Sequence, residues 1–318
     1  MNAMFYLLRG AALALAWLFL LNAIASIVVA EVARRATSGG RTRGARFWLA
    51  LRLSPAVVSI AFIVFVFVPS YLRYEPLHIG EAFAFTMSAA AMAGIALVAA
   101  AAARGIAAWR AARRRTYAWK QAARPLPVGG AALPVFAVDM TAPVMALAGI
   151  FRPRLLITRG VLDVLTDEEL SAGIAHELGH WRAWDNLKRL AMRAAPDLLV
   201  FTPVAAAIEA RWASAAEHAA DHHACGDPQS RCALASALVK VARLTPRATP
   251  LAEPISTLVD GGEIASRVER LLSDAPPNAA GARSWPFAIG VSALVAASYV
   301  PLLHAVHEAT EILVHSLP

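Results

Sequence analysis

Four runs of about twenty residues contain no charged side chain: Gly10 to Ala30, Leu53 to Leu72, Ala82 to Ala103 and Ser284 to Leu303. As a helix rising 1.5 Å per residue, each run can cross roughly 30 Å of hydrocarbon. Inside a bilayer no water satisfies the backbone, so such segments must be helical or part of a closed barrel. The first run is longer than the apolar core of a signal peptide, and other runs follow it, so it reads as a span. Charged residues make up 16% of the 318 positions, against about 25% in soluble domains. The chain is therefore expected to be a multi-span helical membrane protein whose first partner is the lipid bilayer.

The formal net charge of +8 raises the question of nucleic acid, and the placement of the arginines answers it. Arg34, Arg35, Arg41, Arg43, Arg46 and Arg52 lie between runs one and two. Arg104, Arg110, Arg113, Arg114, Arg115, Lys120 and Arg124 follow run three. The segment between runs two and three carries only Arg73, against Glu75 and Glu81. This alternation is the positive-inside pattern. It predicts a plasma (inner) membrane protein with its N-terminus outside and everything between runs three and four in the cytoplasm. No nucleic-acid partner is expected. Arg52, near a span's cytoplasmic end, is expected to snorkel to the interface. Cys225 and Cys232 lack the spacing of a structural zinc site and read as small buried thiols.

Along the chain, residues 1–103 form a three-helix membrane module. Residues 104–130 form a basic interfacial helix and a Pro/Gly linker, "RPLPVGG". Residues 131–280 form a cytoplasmic domain, and 284–307 a last span. Within the domain, β-branched stretches at 134–140, 144–150 and 154–159 read as strands. Thr166 with Glu169 three residues on is a capping box that opens a helix over about 167–186. Further helices are expected near 204–224, 229–243 and 262–273.

The first of these helices carries "IAHELGHWR" (174–182). Residues four apart share a helix face, so His176 and His180 present their rings side by side, at a spacing that suits one tetrahedral zinc ion. Glu177 projects beside them, where it can take a proton from an activated water. Gly179 costs about 1 kcal/mol relative to alanine inside a helix, which suggests close packing there. A third ligand is needed, and "AEHAADHHA" (216–224) supplies candidates. Glu217 can complete a two-histidine, one-glutamate set, with Asp221 one turn on in a supporting position. Asp221 itself and His218, His222 and His223 are competing choices.

HELGH followed by Glu217-x-x-Ala220-Asp221 resembles the gluzincin-type membrane metallopeptidases with an E-x-x-A-D second motif. Two families share the pattern: the beta-lactam-sensor/signal-transducer (BlaR/MecR-like) family, and the HtpX-like and CAAX prenyl proteases. "FRPRLLITRGVLDVLTDEELSAGIAHELGHWRAWDNL" resembles both, including the trailing Asp185. The resemblance, over roughly 134–275, implies a mainly α fold: an α+β zincin-like domain with a small sheet, in a multi-span membrane protein. It implies Zn2+ as cofactor and a protein or peptide substrate, with a cytoplasmic regulator as one candidate. It also points to Arg267 as a downstream arginine that stabilises an oxyanion or pairs with a carboxylate.

The apolar stretch 196–208 is only about 20 Å long as a helix. One crossing there would separate Glu217 from His176, and a double crossing needs about 40 residues. It is therefore expected to be a buried or membrane-grazing helix. HtpX-like proteins resemble a different plan, with a transmembrane hairpin between the motifs, so the signal-transducer family is the nearer resemblance. Nothing after Pro318 can form an extracellular penicillin-binding sensor, so beta-lactam sensing is not expected. The alternatives are an HtpX-like quality-control protease and a non-catalytic zinc-binding signalling scaffold. His304, His307 and Glu308 are expected to serve at the outer interface rather than as a second metal site.

Overall fold

The computed structural model describes residues 3–38, 42–75, 85–121, 123–128, 132–244, 256–257, 264–273 and 285–316. Helix α1 (Ala3–Ser38) is followed by α2 (Ala45–Phe62), which runs through a π turn (Ile63–Phe67) into α3 (Val68–Tyr74). Then comes α4 (Phe85–Gln121). Three stretches, Ala3–Ser38, Ala45–Tyr74 and Phe85–Tyr117, are long and apolar enough to cross a membrane. Large apolar side chains point outward from them, such as Ile27, Val57, Phe65 and Met92.

The expected interfacial helix is not a separate element. The basic stretch after run three continues α4 without a break, because alanine-rich sequence gives no stop signal there. Gly105 of α4 faces Ala194 so closely that a Cβ would sit 2.8 Å from the Ala194 Cβ. Strand β1 (Ala123–Pro125) then begins where a linker is expected.

Four more strands follow: β2 (Val135–Val138), β3 (Met145–Ala148), β4 (Arg154–Thr158) and β5 (Ser256–Thr257). The sheet order is β1-β2-β4-β3-β5. The β2/β4 pair is parallel and the others are antiparallel. Alternate residues point to opposite faces. Leu155, Ile157 and Met145 pack against Ile174, Leu234 and Leu238. Leu156, Ala148 and Val138 face Trp119 of α4 on the other side. With both faces covered, the strands read as continuous apolar runs.

The helices of this half are α5 (Arg159–Leu162), α6 (Asp167–Arg182), α7 (Asp185–Ala194), α8 (Pro203–Ala224), α9 (Pro228–Leu244) and α10 (Ile264–Leu272). The last is α11 (Trp285–Ser316), which contains most of the fourth expected span; its side chains are described from residue 299. It joins the bundle through Trp17 donating to Thr310 (3.1 Å) and Ser70 donating to the Leu303 carbonyl (2.7 Å). The 196–208 stretch is a short 3-10 turn (Leu198–Phe201) leading into α8, with Leu199 and Ile208 buried.

Arg52 does not snorkel. It is fully buried, and donates to Asp197 (2.7 Å), Glu209 (2.8 Å) and the Met192 carbonyl (3.1 Å). Carboxylates brought in from α8 and the segment before it make burial cheaper than reaching for water. Both cysteines are free thiols, and Cys232 is exposed rather than buried.

A candidate metal centre between two helices

The capping box forms as the sequence predicts. Glu169 Oε2 accepts from the Thr166 backbone N–H (2.9 Å), and Thr166 Oγ1 accepts from the Glu169 N–H (3.4 Å). Lys240 of α9 donates to Glu169 at 2.8 Å, so the start of α6 is pinned to its neighbour. The helix ends earlier than expected, at Arg182 rather than near 186. Trp184 adopts a left-handed conformation (φ 59°), and α7 starts at Asp185. The break matters chemically. In an unbroken helix residues five apart diverge by about 140°. The turn at Trp184 brings Asp185 back, and His180 Nδ1 donates to its Oδ2 at 2.8 Å.

The Nε2 atoms of His176 and His180 lie 3.2 Å apart. Glu217 Oε2 is 3.5 Å from His176 Nε2, and Oε1 is 3.4 Å from His180 Nε2. Tetrahedral zinc with ligand bonds of 2.0–2.1 Å separates its donors by about 3.3–3.4 Å. The three donors therefore already stand at the spacing a single ion requires, and they form a buried group able to hold one. Asp221 Oδ1 lies 3.0 Å from His176 Nδ1, on the same side of its ring as Asp185 is of His180, so both rings offer Nε2 to the same point.

Charge tells the same story. Burial lowers the proton affinity of His180, but the Asp185 hydrogen bond and the nearby Glu217 outweigh it and carry the pKa up to about 10. His176 is raised in the same way against burial, through Asp221 and Glu217. Burial pushes Glu217 upward, and the two histidines pull it well below the usual carboxylate range. Such a cluster demands positive charge, and a divalent cation meets that demand as well as protons do.

Glu177 stands beside the three donors, and burial raises its pKa. Both its carboxylate oxygens are buried without a hydrogen-bond partner. Arg267, on α10, bonds Asp221 Oδ2 through Nε (2.9 Å), reaches Asp221 again through Nη2, and places Nη1 2.9 Å from Glu217 Oε2. Its pairing role is thus visible, with every nitrogen engaged on carboxylates. His222 does not join: it is exposed on the outer face of α8 and lines a cavity of about 700 Å³ with His218, Arg231 and Arg270.

The close packing expected at Gly179 is present, and its partner is Ala220: an added Cβ would sit 3.0 Å from the Ala220 Cα. The alanine between Glu217 and Asp221 is therefore needed for closeness, a role the sequence reading missed although a small residue facing a glycine was its signal. β5 was missed too: it pairs with the β3 edge at Ala146↔Thr257 and Leu147↔Ser256, and the short polar stretch gave no strand signal. At the other end of the bundle Glu75, His307 and Glu311 also converge, with Arg9 paired to Glu75 at 3.1 Å. His304 and Glu308 form an exposed pair (3.2 Å).

Two helices crossing at small residues, one bearing paired histidines with a glutamate and the other a third carboxylate donor, define the class: a metallopeptidase. Residues 108–258 match the sequence model of Peptidase family M48, which supports a metallopeptidase of that family. A comparison with curated proteins finds no match.

Proposed function

We propose that this chain is an integral membrane zinc endopeptidase that cuts a protein substrate in regulatory proteolysis. Its N-terminus lies outside the plasma membrane and its peptidase domain in the cytoplasm. The observation that carries this reading is the donor triangle of His176, His180 and Glu217 beside the unpartnered carboxylate of Glu177. The membrane placement rests on the three apolar helices and on the arginines that flank them.

His176, His180 and Glu217 would hold the zinc. When bound, zinc polarises the scissile carbonyl and makes hydroxide available near neutral pH. Glu177 takes the proton from the attacking water and passes it to the leaving amine. Its raised proton affinity suits that exchange. Asp185 fixes the His180 tautomer through its hydrogen bond, Asp221 lies 3.0 Å from His176 Nδ1, and Arg267 pairs with Asp221 and with Glu217 in a buried setting.

Burial of the site favours regulation over housekeeping. His176 and His180 are 0% exposed, Glu177 1% and Glu217 2%. A site closed this far needs an opening step before it meets a protein chain. An HtpX-like quality-control protease would leave many proteins uncut when inactivated, whereas a regulator leaves one or two. The direct test is Glu177→Gln. Proteolysis should fall by about 10²–10⁴-fold with zinc content unchanged. Undiminished cleavage with zinc in place sinks the mechanism, and a wild-type chain that holds zinc but cuts nothing leaves the scaffold reading.

A further inference from the structure

Arg52 bonds both α7, which carries Asp185, and α8, which carries Glu217, and it belongs to neither. It sits in α2, the second apolar helix, with no exposed surface. Through Nη2 it holds the Met192 carbonyl near the C-terminal end of α7 (3.1 Å). Through Nη1 it holds Asp197, just beyond α7 (2.7 Å), and through Nε it holds Glu209 of α8 (2.8 Å). Each contact is about two helical turns from the site: some 10 Å from Met192 to Asp185, and about 12 Å from Glu209 to Glu217. Asp185 orients His180, and Glu217 is a donor. The axial position of α7 against α8 therefore sets how Asp185, which orients the His180 ring, stands relative to the Glu217 carboxylate.

Two other apolar helices grip the same segment. Asn22 of α1 donates to the Pro196 carbonyl (2.8 Å) and accepts from the Leu198 N–H (2.9 Å). Arg104 of α4 donates to the Ala195 carbonyl (2.9 Å). Neither of these bonds reaches α8. Arg193 of α7 also lies 3.7 Å from Glu209, but Arg52 reaches α7 and α8 from a third helix. A lysine's three donors radiate from one nitrogen and do not span acceptors spread around a guanidinium fork.

We propose that Arg52 is a positioning residue that couples α2 to the metal centre, so that a shift of this apolar helix changes zinc affinity and activity. This regulation rests on the zinc reading of the site. Metal ligands tolerate only about ±0.2 Å, so a small slide of α2 is enough.

The test is zinc affinity of the full chain in lipid nanodiscs, by competition with a chromophoric chelator, beside thermal unfolding of the same samples stripped of metal. Arg52→Lys should lose about 10–100-fold in zinc affinity, with the stripped protein's Tm lowered by only a few degrees. Asn22→Ala loosens the same segment without touching α8, and should keep zinc affinity within about 3-fold of wild type. If Arg52→Lys fails to fold, the triple variant Arg52→Met, Asp197→Asn, Glu209→Gln removes the buried charges together and should show the same affinity loss. Wild-type affinity in Arg52→Lys or in the triple variant overturns the proposal, as does an equal loss in Asn22→Ala. A wild-type chain that binds no zinc overturns the metal-centre reading, and the coupling with it.

Discussion

Replacing Gly179 with alanine separates stability from site geometry. The added Cβ would stand 3.0 Å from the Ala220 Cα, 3.2 Å from the His223 Cβ and 3.3 Å from the Ala220 Cβ. Carbon pairs prefer about 3.5–4.0 Å, so α8 must retreat by about 0.5 Å or more. The donors across this contact stand 3.4 and 3.5 Å apart, and a ligand set tolerates about ±0.2 Å. The retreat moves Glu217 out of that window while His176 and His180 stay together on α6. Meanwhile alanine is favoured over glycine in a helix by about 1 kcal/mol, which offsets the lost packing. The metal-stripped Tm should therefore hardly move, while zinc affinity falls about 10–100-fold, or about 1.4–2.7 kcal/mol. Chelator competition reads the affinity and calorimetry the stability. Wild-type affinity in Gly179→Ala would refute the claim that this close approach sets the donor geometry. A large fall in Tm with normal affinity would show that the glycine serves packing alone.

Three further outcomes follow from the same geometry. Asp185→Ala frees the His180 ring and should weaken zinc binding about 10–100-fold, measured by the same competition. Arg267→Met leaves Asp221 and Glu217 buried without their cation and should cost about 3–5 kcal/mol in denaturant unfolding. Glu169→Ala removes one arm of the capping box and the Lys240 bond, lowering stability at pH 7 by about 1–2 kcal/mol. Burial raises the Glu169 pKa, but its bonds to Lys240, Ser236 and Thr166 leave it lowered overall. A depressed folded pKa contributes stability above the unfolded value, about 4.3, and loses it as pH falls through the folded one. The gap between wild type and Glu169→Ala should be widest at neutral pH and close in acid; a gap independent of pH would refute the assignment.

The chemistry was more legible in the sequence than the architecture around it. The pairing of His176 and His180 was legible because helix periodicity is local, and a four-residue spacing fixes a shared face whatever the fold. Glu217 was one of several candidates on another helix, and the fold brings it within 3.5 Å of both rings. Three strands were placed within a residue or two, because β-branched runs bounded by proline and glycine are local signals as well. The break at Trp184 was missed, since a tryptophan in a left-handed conformation has no composition cue. Arg52 was misread for a deeper reason. A basic residue at a span's end is normally drawn to water, and only the fold reveals that Asp197 and Glu209 come to meet it. β5 depends on a partner distant in sequence, which no local pattern announces, and β1 lies at the edge of a proline-rich stretch that reads as a linker.

The segment from Ala195 to Leu198 has one more consequence, and it concerns timing. Its polar groups are satisfied by Asn22, Arg52 and Arg104, side chains carried on three different apolar helices. A peptidase half made without those helices, or ahead of their insertion, would leave these groups unmet and the junction between α7 and α8 unformed. If the apolar helices are laid down first, the junction that aligns α7 with α8 has its partners waiting, and the site is completed from pieces held in the anchor.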